Sequence, residues 1–262
     1  MTTPLASLQQ SKAFKYGMSV FETVRFDRGR AHNVEAHFER FYQGASFLGL
    51  PKPNKERFVA CIEAAIQSAP KGQGAIRIQL VDDDQEARLS WSVRPIAYKI
   101  ETYKKGWRVS YGQYPKWSKN PLLRFKTAQY ALNMLELQAV KAQGYDEVLF
   151  ENDQAHVTEG AISNLYIIKN NKIMTAPLTD GLLPGTMRQR VNTWLAQHAY
   201  TLYEQSINRD DILGADAIFA TNALVGIVRI SEVDGKSYDD HPVIATLQKG
   251  LMGDWTIEDE TR

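Results

Sequence analysis

Four features of the sequence could together carry out covalent cofactor chemistry. Lys126 follows the apolar Leu122-Leu123 pair and Phe125, at the border between a strand-like run and a helix-like one. An amine at such a border is expected to be partly desolvated, which would lower its pKa and make it a usable nucleophile. Glu159 lies between Thr158 and Gly160 at the end of a strand-like run, just before the small-residue stretch Gly160–Asn164. Arg40 stands beside the apolar face of the first helical segment. Leu183-Pro184-Gly185-Thr186 leads into a helix start, where free N–H groups and the helix dipole favour an anion. Taken singly, each has an ordinary structural explanation. A lysine snorkels at a strand end, a carboxylate sits in a turn, an arginine covers a core with its stem, and most helix termini hold nothing. Taken together they match an aldehyde cofactor with a basic ring nitrogen and a phosphate. Pyridoxal phosphate needs an amine for its Schiff base and an acid to keep the ring nitrogen protonated as an electron sink. Its phosphate needs a cation and backbone N–H groups.

Ser19–Phe26 is β-branched and aromatic, and Asp27-Arg28-Gly29 follows as a turn. Asn33 stands as an N-cap before Phe38, Phe41, Tyr42, Ala45 and Leu48 at helical spacing, and Gly49 ends that pattern. A second helix is expected over 54–68. Strands are expected over 75–81 and 89–96, joined by a polar hairpin that contains Asp82-Asp83-Asp84. That triplet reads as a solvated turn, since no further acids stand at metal-loop spacing. A helix is expected from Thr127 to Gln143, and strands over 147–150, 155–158, 165–168 and 216–220. A further helix is expected from Thr186 to His198. Short strands and helices without regular βαβ spacing predict an α+β fold. Two domains are expected, a small N-terminal one over 1–102 and a larger one over 103–262 that carries Lys126.

Composition narrows the function classes. The 262 residues carry 31 Lys+Arg against 30 Asp+Glu, a formal charge of +1. With no basic block, this balance argues against a nucleic-acid binder that works by phosphate neutralisation. No apolar run reaches the ~20 residues of a membrane span, and residues 1–12 lack a signal core, which predicts a cytoplasmic protein. The single cysteine, Cys61, excludes an intrachain disulfide and is expected to be a small buried hydrophobe. The five histidines form no ligand-spaced pair, and no metal is expected. Walker, dinucleotide-glycine, zinc-protease and nucleophile-elbow motifs are absent.

Several separated segments, in register, resemble the fold-type IV pyridoxal phosphate enzymes (the class IV aminotransferase family). They are residues 16–25 (YGMSVFETVR), 37–40 (HFER), 126–130 (KTAQY), 157–165 (VTEGAISNL) and 183–188 (LPGTMR), with matching order over about residues 14–235. The resemblance implies a small N-terminal α/β domain and a larger C-terminal domain with a barrel-like sheet. The family's usual first strand is absent. By position, Lys126 would carry the Schiff base and Glu159 would bind the pyridinium nitrogen. Arg40 would bind the phosphate, and Tyr130 the ring hydroxyl. Thr186 and Met187 would complete the phosphate cup with Asn222 and Ala223, and Ser163 and Asn164 are counted with the cofactor ligands.

Two departures from the transaminase pattern stand out. Met187 and Ala223 occupy positions where transaminases carry hydroxyls that touch the phosphate. Met187-Arg188-Gln189 together with Thr221–Leu224 is more similar to the aminodeoxychorismate lyases, which release 4-aminobenzoate and pyruvate for folate synthesis. The arginine that grips substrate in D-amino acid aminotransferases aligns near Asp82, an acid. A transaminase of branched-chain or D-amino acids is the alternative. The resemblance also implies a small-molecule substrate, aminodeoxychorismate or an amino acid, and a homodimer.

Overall fold

A computed structural model describes residues 9–69, 72–83 and 86–258, with the side chains of 82–87 outside the description. Asp84 and the side chains of Asp82 and Asp83 therefore lie outside the described residues, as do residues 1–8 and 259–262. The chain forms two compact units. The first runs to Ala97 and includes Phe125–Tyr130; the second comprises Tyr98–Arg124 and Ala131 onward. Lys126 thus groups with the N-terminal unit, because its segment pairs with the first strand.

The first unit contains α1 (Lys12–Tyr16), β1 (Phe21–Asp27), β2 (Arg30–Ala31), α2 (Val34–Phe47), α3 (Lys55–Gln67), β3 (Gln73–Asp83) and β4 (Glu86–Arg94). Its antiparallel sheet has the order β2-β1-β3-β4. Side chains alternate across a strand, so Val20, Val24 and Phe26 point to one face and Phe21, Thr23 and Arg25 to the other. The first face packs with Phe41 and Ala45 of α2 and Phe58, Ile62 and Ala65 of α3 into one core. Cys61 is partly buried against this core. The second helix is capped by Asn54, whose side chain accepts from the Arg57 N–H. The first is not, because Asn33 enters α2 in the left-handed region (φ 54°) and makes no side-chain cap bond.

The second unit contains α4 (Ile100–Lys105), β5 (Trp107–Tyr111), α5 (Ala131–Ala142), β6 (Glu147–Glu151), β7 (Val157–Gly160), β8 (Asn164–Lys169), β9 (Lys172–Thr175), α6 (Thr186–Gln197), β10 (Leu202–Glu204), α7 (Arg209–Leu213), β11 (Ala217–Asn222), β12 (Gly226–Val233), β13 (Lys236–Ser237) and α8 (Pro242–Met252). Strands β8-β11-β12-β5-β6-β7 form a ring that closes through β7–β8 pairing, a six-stranded barrel within a larger sheet. Every strand of the ring sends an apolar side chain into one interior core, among them Val109, Leu149, Val157, Leu165, Ile218 and Val228. The alternate residues Tyr166, Ile168, Ala217 and Phe219 pack outward against α6 and α8. The expected α+β architecture with a barrel-like sheet is the architecture observed.

Two sequence expectations shift in ways that matter for the site. The helix expected from Thr127 begins at Ala131, because residues 126–128 exchange backbone hydrogen bonds with β1 instead. The strand expected over 155–158 is Val157–Gly160, so Glu159 lies inside β7. Among the described residues no helix is long and apolar enough to cross a membrane.

Candidate active site

In the first unit, the position of Lys126 is fixed by main chain. The Phe21 N–H donates to the Lys126 carbonyl at 2.9 Å, and the Ala128 N–H donates to the Ser19 carbonyl at 2.7 Å. Val20 and Thr127 form an antiparallel bridge. The Lys126 Nζ then lies 4.6 Å from the Phe21 ring centroid and 5.1 Å from that of Tyr130. Those two rings meet edge to face at 5.5 Å. Aromatic faces hold an ammonium by cation–π attraction without neutralising it, which suits an amine that must react.

On the opposite, helix-covered face of β1 sits Glu22, fully buried. Its carboxylate accepts Nε (2.8 Å) and Nη2 (2.7 Å) of Arg40, and Nδ1 of His37 lies 2.6 Å from it. Burial alone would push the Glu22 carboxyl up. The Arg40 charge and His37, with their hydrogen bonds, outweigh burial and hold it at about 2. Burial pushes the His37 imidazole below its ordinary value despite the Glu22 charge, and the Arg40 and Lys126 charges add to that. A neutral imidazole against a carboxylate carries its proton on Nδ1. Arg40, expected as a phosphate ligand, therefore has one edge of its guanidinium committed to Glu22.

Sequence reasoning missed a second cation near Phe21. Arg77 pairs with Thr23 across β3–β1, and its guanidinium carbon lies 3.7 Å from the Phe21 centroid. Burial pushes its pKa below the ordinary value, and the neighbouring Arg94 charge does the same.

In the second unit, the β7–β8 register that closes the barrel is the pair Glu159 and Asn164. Glu159 Oε1 accepts from Lys116 Nζ at 2.9 Å, and Oε2 accepts from the Leu183 N–H at 3.0 Å. Asn164 Nδ2 donates to the Leu183 carbonyl at 2.9 Å. One peptide stretch is thus gripped from both strands. Gly185 follows it, and a Cβ there would fall 2.0 Å from Asn164 Oδ1, so the close approach requires glycine. Gly185 is the N-cap of α6 and supplies no side-chain cap.

The turn from β7 to β8 is built around buried Glu147. Its carboxylate accepts the Ala161 and Ile162 N–H groups, each at 3.1 Å, and the Ser163 hydroxyl at 2.9 Å. Burial pushes the Glu147 carboxyl up, and these donors oppose the shift. The side-chain donors of Ser163 and Asn164, both counted with the cofactor ligands, are thus engaged within the protein. Met187, in the first turn of α6, is 1% exposed and packs in the core with Tyr166, Val191 and Phe219, so it offers an anion only its backbone. Thr186 beside it keeps a hydroxyl. Asn222 Oδ1 accepts the Leu224 and Val225 N–H groups at 2.8 and 2.7 Å, folding the turn that contains Ala223.

Each unit by itself carries groups that suit pyridoxal phosphate. In the first, Lys126 supplies an amine; in the second, α6 begins at a glycine with no side-chain cap. A carboxylate has about four lone-pair sites, and Glu159 uses two, which leaves room for a ring N–H.

The amino-transferase class IV family model matches residues 19–233, and the chain belongs to that family. Its members are pyridoxal phosphate enzymes, and so is this one. The chain is 28% identical, over 90% of its length and 84% of the relative's, to the branched-chain-amino-acid aminotransferase of Pseudomonas aeruginosa. It is 25% identical to a bifunctional aminodeoxychorismate lyase / D-amino acid transaminase of Mycobacterium tuberculosis, over 87% and 86% of the two chains. Among solved structures, a candidate 4-amino-4-deoxychorismate lyase from Legionella pneumophila superposes with TM-score 0.87 at 28% identity, covering 93% of each chain. A branched-chain aminotransferase from Thermoproteus uzoniensis gives TM-score 0.85 at 23% identity, a likeness of fold.

Proposed function

We propose that this enzyme is an aminodeoxychorismate lyase, which converts 4-amino-4-deoxychorismate to 4-aminobenzoate and pyruvate. The observation that carries the reading is the composition of the candidate phosphate cup. Met187 turns its side chain into the core, and the facing turn has Ala223, so hydroxyls found in the transaminases are absent from both positions. The Legionella neighbour supports the same reading.

The cofactor, when bound, supplies an electron sink for charge left on the substrate carbon that loses its proton. Lys126 would hold it through a Schiff base, and Lys126 Nζ would take the proton from the substrate carbon that bears the amine. The ring carbon–oxygen bond to the enolpyruvyl group then breaks, the ring becomes aromatic, and Lys126 returns the proton to the leaving group, released as pyruvate. Glu159 would hold the ring nitrogen and Tyr130 the ring hydroxyl. Arg40, Thr186 and the backbone of Met187, Asn222 and Ala223 would bind the phosphate. Ser163 and Asn164 act by shaping the loops around Glu159. Arg77, stacked on the Phe21 ring that also faces Lys126, is the cation we assign to a substrate carboxylate. The protein acts as a cytoplasmic homodimer.

Formation of 4-aminobenzoate from aminodeoxychorismate without any oxo acid tests this reading. A second reading, a transaminase of small amino acids, is favoured by the 28% identity to the Pseudomonas enzyme. It requires an oxo-acid acceptor for every second half-reaction.

A further inference from the structure

Lys116 belongs to no motif and was not a candidate on sequence, yet its ammonium is buried against the carboxylate that matters most. Its side chain is 3% exposed and that of Glu159 is 8% exposed. The Lys116 N–H donates to the Glu151 carbonyl at 2.8 Å, and the Lys116 carbonyl accepts from Asp153 at 3.0 Å. A parallel bridge to Asn152 fixes the same residue. Nζ lies 4.0 Å from the centroid of the Phe150 ring, and Phe150 is the direct partner of Glu159 across β6–β7. The ammonium is therefore boxed between an aromatic face and one carboxylate oxygen. Desolvating a lysine this far is costly unless its charge is used.

We propose that Lys116 is a positioning residue that keeps the proton shared between Glu159 and the cofactor's ring nitrogen on the nitrogen. The inference rests on the reading that Glu159 binds that nitrogen. Two arrangements compete, an ionised carboxylate with a protonated ring and a neutral acid with an unprotonated ring. Lys116 stabilises the carboxylate charge at 2.9 Å. It repels a ring cation less strongly, because any cation sharing Glu159 with it lies farther from Nζ than that oxygen does. The difference favours the ionised pair, which is the electron-sink form. Oε2 meanwhile holds the Leu183 N–H, so the carboxylate cannot swing away from the loop.

The test is the ¹⁵N chemical shift of pyridoxal phosphate labelled at the ring nitrogen and bound to the purified protein. Wild type and Lys116→Arg should show the protonated-pyridine shift. Lys116→Met should move toward the unprotonated value and lose turnover in parallel, with cofactor still bound. Glu159→Gln should read unprotonated whatever occupies position 116. A protonated ring in cofactor-loaded Lys116→Met, or an unprotonated ring in wild type, overturns the proposal. Failure of Glu159→Gln to change the wild-type shift overturns the underlying assignment of Glu159 instead. Should Lys116→Met not fold, Lys116→Gln carries the same expectation.

Discussion

The N–H of Phe21 donates to the carbonyl of Lys126, and the Phe21 ring lies under the Lys126 ammonium at 4.6 Å. The first strand thus sets both the height and the direction of the lysine. If Lys126 is the Schiff-base residue, borohydride treatment of the yellow holoenzyme should bleach it and fix the cofactor on a peptide containing Lys126. Lys126→Ala should still bind cofactor non-covalently and lose essentially all turnover. An active Lys126→Ala would end this assignment.

Glu22 makes acid stability a sharp test of the buried cluster. Its carboxyl is held at about 2 in the folded protein against an ordinary 4.5. A depressed acid stabilises the fold above its unfolded value and loses that contribution as pH falls through the folded one. The linked contribution is about 3 kcal/mol, fully present near neutrality and lost between about pH 4.5 and 2. His37, also depressed, works in the same direction, so its contribution is present above 6.5 and is lost as pH falls below it. Glu22→Gln leaves Arg40 without its counter-ion and should cost about 3–5 kcal/mol at pH 7. Urea titrations at stepped pH measure both. An acid limb in wild type that is as flat as in the variant would contradict the cluster's ionisation.

The turn after Glu159 should tolerate no side chain at Gly160. A Cβ there would sit 2.4 Å from Ser163 Oγ and 2.8 Å from the Glu147 carboxyl. Gly160→Ala should destabilise by about 1–3 kcal/mol through overpacking. Because the turn adjoins Glu159, cofactor affinity should fall with it. Equilibrium unfolding and cofactor titration read the two effects. Unchanged values for both would mean that Glu147 does not shape the site.

Arg77 should separate substrate binding from chemistry. Losing a charge-assisted bond of about 1.5–3 kcal/mol should raise KM for aminodeoxychorismate by roughly one to two powers of ten. Arg77→Gln should leave cofactor affinity and absorbance unchanged. Steady-state kinetics decide; an unchanged KM would remove Arg77 from the substrate site.

What the sequence made visible follows from which interactions are local. The apolar spacing of α2 and the Pro184-Gly185 entry to α6 are encoded within a few residues, and they were legible. The 127–130 stretch was not, because its helical composition is overridden by pairing with Val20, more than a hundred residues earlier. Strands β5, β9, β10 and β12 were unread: β9 and β10 are very short, and β5 and β12 are mixed runs defined by pairing with each other and with β6 and β11. Glu22 carries a faint signal, an acid inside the apolar run 20–24 of a strand buried on both faces. Lys116 carries none, since its meaning comes only from Glu159, forty-three positions away.

Multiple-turnover assay of the pyridoxal phosphate-loaded enzyme with aminodeoxychorismate, with no oxo acid present, separates a lyase from a transaminase. 4-Aminobenzoate and pyruvate should form in equal amounts over many turnovers, without accumulation of aminated cofactor. Under the same conditions, conversion of D-alanine and branched-chain amino acids should be slow or undetectable even with 2-oxoglutarate. If 2-oxoglutarate-dependent conversion of any of these amino acids outpaces 4-aminobenzoate formation, the enzyme is a transaminase and the lyase assignment is wrong.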